Sequence, residues 1–298
     1  MEQTSHKAIK EIVTAHRQME GGGFMVRRPI PSGHQEQVDP FLLLDEMGPV
    51  DYAPGKAMGA PEHPHRGFET VTYLLAGEME HRDSGGHQGV LRPGDVQWMT
   101  AGAGVVHSEL PTQKMMDEGG RMHGFQLWVN LPRDDKMMAP RYQDITAEQL
   151  PEVTSEDGRA WVRVIAGEAL DRKAVIETRI PITYLHWKLK PGASVSQAIP
   201  AEQDAFIYVF HGSMEVGEEK TPLVEGQMAV LDQGEHITFS TSQDQEGESE
   251  CLVLAAKPLN EPMTRWGPFV MNHPHEIQQA IVDYQSGRMG QLTDPDQS

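Results

Sequence analysis

The spacing Tyr73…Gly77-x-Met79-Glu80 recurs as Tyr208…Gly212-x-Met214-Glu215. Around each copy lie short apolar runs of strand length, closed by Gly or Pro-Gly turns, so the chain reads as an internal duplication of one β-unit. Runs at 24–28, 39–45, 70–76, 79–83, 96–100 and 124–131 read as strands of the first copy, and runs at 184–189, 206–210, 214–216 and 228–231 as strands of the second. Residues 1–20 read as weakly helical or irregular, Gly21-Gly22-Gly23 as a turn, and 29–38 and 48–62 as loops. Only 273–285 has a helical pattern, with Ile277, Ala280, Ile281 and Tyr284 on one face. The expectation is an all-β chain of two tandem barrels with a short C-terminal helix. Its first barrel spans 1–132, a linker or crossover 133–158, and the second barrel, with the helix, 159–298. A chain of 298 residues gives each half enough length to bury its own core.

The first copy carries chemistry that the second lacks. His63-Pro64-His65 and His107-Ser108-Glu109 each place two potential ligands two residues apart, and in a strand such residues share a face. Two neighbouring strands can thus bring three imidazoles and a carboxylate to one point. Three nitrogens with one or two oxygens suit a first-row transition metal, not calcium or a thiolate zinc. At the same offsets the second copy has Ala198, Pro200, Phe239 and Thr241, so its ligands are gone and packing, shaping of a mouth or partner binding is left to it. Ala101-Gly102-Ala103-Gly104 lacks the Lys-Ser/Thr and helix of a phosphate loop, and turns the chain ahead of His107 instead. His81 and His87 read as solvated, His123 as a surface histidine, and His273-Pro274-His275 as a decoy whose side chains diverge at a helix start.

Composition closes off other classes. The formal charge of −19 repels phosphate backbones, and no basic stripe offsets it, so no direct nucleic-acid binding is expected. One cysteine, Cys251 in an apolar run, fits a core thiol in a reducing compartment. The first residues lack the apolar core of a signal peptide, and no run has the roughly 18 apolar residues of a membrane span, which points to a cytoplasmic protein.

The motifs resemble the cupin superfamily and, within it, the pirin family of bicupins. The residues that carry this are His-Pro-His-Arg-Gly-Phe-Glu-Thr (63–70), Pro-Gly-Asp-x-Gln-Trp-Met-Thr-Ala-Gly (93–102), His-x-Glu (107–109), Gln-Leu-Trp-Val-Asn-Leu (126–131) and Gly-Pro-Phe-Val-Met-Asn (267–272). The general cupin pattern is departed from at Gly77, one residue late, and at Thr100, which stands where that pattern has Pro. The resemblance implies one divalent metal, iron first with copper, manganese, nickel or zinc as alternatives, bound by His63, His65, His107 and Glu109. It implies quercetin 2,3-dioxygenase activity on a flavonol-like substrate with O2, Glu109 also serving as base, in a monomer. Two alternatives are a non-catalytic iron sensor that acts on a regulatory protein partner and an enol isomerase that uses the metal only as a Lewis acid. Glu69 fits a structural carboxylate better than a ligand. Arg66 and Gln126 are candidate supports of the site, and Phe68 and Met99 candidate walls.

Overall fold

Phe68–Ala76 is rich in β-branched and aromatic side chains and is buried along its first seven positions, a pattern that demands cover on both faces. The computed structural model, which describes residues 5–20, 22–32 and 36–292, shows what supplies that cover. Gly21, one residue of the expected Gly turn, and 33–35 of the expected loop lie outside the described residues, as do 1–4.

Contacts divide the chain into two compact units. The two histidine motifs fall in the unit made of Arg17–Arg27, Phe41–Ala147 and the described residues from Leu259 onward. Its seven-stranded sheet runs Arg141–Ile145, Val96–Thr100, Phe68–Ala76, Gly120–Asn130, Phe41–Tyr52, Phe24–Ile30, His16–Glu20. A four-stranded sheet, Ala60–His65, Val105–Pro111, Met79–Asp83, Gln88–Leu91, is bonded to it across the interior, where Thr72 of the larger sheet meets Glu109 of the smaller. The other unit comprises the described residues up to His16, Arg28–Pro40 and Glu148–Pro258. It repeats the plan: seven strands ordered Ile9–Thr14, Gln227–Leu231, Asp204–His211, Ser249–Ala256, Ile182–Leu189, Ala160–Ala166, Glu152–Thr154, and four ordered Ser194–Ala198, His236–Ser240, Ser213–Val216, Thr221–Val224. In both units the central pairings are antiparallel.

The β-duplication and C-terminal helix, Pro274–Gln285, are therefore present. Several local expectations give way. Residues 9–14 and 16–20 are strands, not helix; their polar residues alternate along half-exposed strands that sequence periodicity barely marks. Part of the expected loop at 48–62 continues the strand Phe41–Tyr52, and Ala60–His65 already belongs to the smaller sheet. The expected linker at 133–158 holds two short edge strands, Arg141–Ile145 and Glu152–Thr154, one in each unit. Contacts place 259–292 with the His-bearing unit and the first strand with the other, so the units do not follow sequence order. A short helix, Gln113–Glu118, adds to the expected elements; Thr112 caps its Met115 N–H and Gly119 closes it at φ 70°. On the C-terminal helix Ile277 and Ala280 are buried as expected, but Tyr284 is exposed and Asp283 takes the inner position.

The second unit's interior is apolar. Ala198 and Pro200 are exposed; the residues that its strand turns inward are Val195 and Gln197, opposite Phe239 and Ile237. Cys251 lies in that core, where burial pushes its thiol well above the usual range. Among the described residues no helix is long and apolar enough to cross a membrane.

Candidate metal centre

The smaller sheet of the first unit sets His63 directly opposite His107, with His65 opposite Val105. This register follows from period-two alternation: His63 and His65 leave the strand on one face and meet His107 there. Their Nε2 atoms converge, His63 to His65 at 3.0 Å and His63 to His107 at 2.9 Å. Among the described residues these three histidines are the group of His, Cys, Asp or Glu whose donor atoms lie close enough together to hold a metal ion, within 4.8 Å.

The donor set fits an ion. Metal–imidazole bonds of about 2.0–2.1 Å put neighbouring ligand nitrogens roughly 3 Å apart, as here. His63 Nδ1–H donates to the Pro61 carbonyl at 2.7 Å, which leaves its Nε2 lone pair for the cluster. Burial pushes the His65 ring well below the usual imidazole range, with added repulsion from His107 and His63 and opposition from the Pro268 carbonyl. Burial also lowers His107 well below that range, aided by His63 and His81 and opposed by Asp83. Both rings are thus neutral near pH 7, the state that ligates. The Nδ1 atom of His107 is buried without a hydrogen-bond partner. Phe68 and Trp128 pack edge-on against His65, with centroids at 5.1 and 5.2 Å, so Phe68 is a wall of the site. Met99 is buried instead beside Ala101, Val105 and Tyr142.

Glu109 lies on the strand of His107, past a register shift in the pairing with Ala60–His65. Such an irregularity re-aims a side chain. Its carboxylate is not in the 4.8 Å group; it points to the larger sheet, with Oε1 2.9 Å from Thr72 Oγ1 and Oε2 3.2 Å from Gln126 Nε2, which donates to it. Thr72 Oγ1 is also 2.7 Å from Gln126 Oε1, so its single proton serves one acceptor at a time. Gln126 and Thr72 are directly paired across two strands, a proximity that sequence spacing does not reveal.

The remaining candidates sort by what they touch. Glu69 is buried, accepts a bond from Thr100 Oγ1 at 2.6 Å and lies outside the metal-holding group. Arg66 donates through Nε to the Ala103 carbonyl and through Nη1 to Asp283, and holds that carboxyl below the usual range. His123 lies in a strand, not a loop, 3.0 Å from Glu46. His81 is not solvated: it is 2% exposed and stacked on Tyr142, whereas His87 is exposed as expected. His273 and His275 stack with ring planes 10° apart instead of diverging, and lie outside the metal-holding group.

The pirin family model matches residues 23–129, and the pirin C-terminal cupin domain matches residues 184–290. The chain belongs to the pirin family. Pirin of Mus musculus is 43% identical over 289 residues, 96% of this chain and 95% of that protein. A pirin-like protein of Solanum lycopersicum is 42% identical, covering 95% of this chain and 93% of its own length. Among solved structures, a quercetin 2,3-dioxygenase from Acinetobacter baumannii superposes with a TM-score of 0.89 at 36% identity, over 97% of this chain and all of that one. The pirin motifs read at 63–70 and 107–109 are thus the ones whose histidines meet in space.

Proposed function

We propose that this pirin is a metal-dependent dioxygenase that opens a flavonol-like enol with O2, of the quercetin 2,3-dioxygenase kind. The observation that carries this reading is the convergence of three imidazole nitrogens inside a barrel; the chain's similarity to the Acinetobacter enzyme supplies the reaction class. The metal, iron in this reading, would be held by His63, His65 and His107 with Glu109 as fourth ligand, and water would complete the shell. Such a metal supplies Lewis-acid polarisation of the enol oxygen and one-electron chemistry for O2. Glu109 Oε2, which takes one bond from Gln126, accepts the proton of the flavonol 3-hydroxyl. Thr72 and Gln126 orient that carboxylate, and the Phe68 and Trp128 rings keep water from the face of His65.

The test is O2 uptake with quercetin by the iron-loaded protein and by His63→Ala. The reading expects metal-dependent consumption that falls to background in the variant. Stoichiometric metal without turnover would sink the dioxygenase assignment for this substrate and favour the sensor alternative.

A further inference from the structure

The segment from Leu259 onward belongs to the same compact unit as the histidine cluster and meets it on both sides. Beside His65, the Val270 N–H donates to the Arg66 carbonyl at 3.0 Å. On the side of His107, Ser84 Oγ donates to the Met289 carbonyl at 2.8 Å and accepts the Val106 N–H at 3.1 Å. One side chain joins the two sides. Arg66, next to His65, donates through Nε to Ala103 at 2.6 Å, in the turn that leads into the strand of His107. Its Nη1 is held at 2.8 Å by Oδ2 of Asp283 on the C-terminal helix. Both partners are buried, at 5% and 8% exposure, so removing the Asp283 charge leaves the Arg66 guanidinium without its carboxylate partner. Asp283 Oδ1 is itself fixed by Gln279 at 2.7 Å and Arg288 at 3.1 Å.

We propose that Asp283 is a positioning residue for the metal centre: by pinning Arg66 against Ala103 it sets the spacing between the strand that bears His65 and the strand that bears His107. This rests on the reading of the three histidines as metal ligands. The C-terminal helix is then part of the site's scaffold, although it supplies no ligand, and the buried Asp283 on its inner face has a task that apolar packing would not need.

The experiment is a cobalt(II) titration of the chelator-treated full chain, against a competing chelator and with visible absorption recorded. Wild type, Asp283→Asn and Asp283→Glu are compared, with thermal melts of the metal-free proteins alongside. Asp283→Asn is expected to weaken cobalt binding roughly 10- to 100-fold and to alter the ligand-field bands, with Asp283→Glu recovering most of both. Wild-type affinity and spectrum in Asp283→Asn, whatever its melting temperature, overturn the positioning role alone. Should Asp283→Asn not fold, Gln279→Ala loosens one support of the same carboxylate without removing a charge. A several-fold loss of affinity there supports the proposal, and unchanged affinity overturns it. A wild-type protein that binds no cobalt overturns the metal reading itself and this proposal with it.

Discussion

His65 and His107 are buried close to His63, so a proton on either ring costs desolvation and repulsion together. Their folded values lie well below the unfolded value of about 6.5, and the unfolded chain therefore takes up protons first as pH falls. The metal-free protein should keep this contribution to stability above about pH 6.5 and lose it progressively below that. Melts of metal-free protein across that range check this, and a His65→Leu variant should show a shallower acid slope than wild type. At the same scale, Gln126→Leu removes the donor to Glu109 Oε2, and metal affinity is expected to fall roughly 10- to 100-fold in a chelator competition. The three histidines could be read from the sequence because period-two spacing in a strand is local information. Gln126 stands among the candidate supports already in the sequence, but its pairing with Thr72 and the burial of His81 could not be read there, because each depends on which strand lies opposite.

The turn after His65 is held by elements distant in sequence. Gly67 has φ 87°, and a Cβ there would sit 2.0 Å from the Val270 carbonyl oxygen. Gly67→Ala should therefore cost about 2–4 kcal/mol in urea unfolding, from left-handed strain plus the clash. Beneath it, buried Lys136 donates to the carbonyls of Gly67 (2.8 Å) and Val270 (3.1 Å) and to Asn130 Oδ1 (2.6 Å), and burial lowers its ammonium to about 8. Lys136→Met leaves three acceptors unpaired, and a loss of about 2–4 kcal/mol is expected by the same measurement. Lys136 lay in the stretch read as a linker, Pro132-Arg133-Asp134-Asp135-Lys136, where a charge run normally means solvent. Elements with strong alternation or continuous apolar runs, such as Val96–Thr100, emerged at their bounds; edge strands with polar alternation, such as Ile9–Thr14, did not, since half-exposed positions weaken the period.

At the scale of the molecule, the duplication was visible as a repeated spacing, and the structure repeats it as two units with matching strand orders. Which terminal segment joins which unit was not visible, because a strand or helix carries no local mark of the sheet it will meet. The second unit shows what the fold alone provides: with Val195, Gln197, Ile237 and Phe239 on its inward face, the corresponding strands pack as core. A net charge of −19 predicts no measurable binding to duplex DNA even at low salt, where counterion release favours it most; fluorescence anisotropy checks this. Metal binding rests on the first unit's histidines. Elemental analysis of the metal-loaded protein beside His63→Ala tests it most directly. One equivalent of a divalent transition metal is expected in the wild type and close to none in the variant. No metal under any loading condition, or equal metal in both, would contradict it.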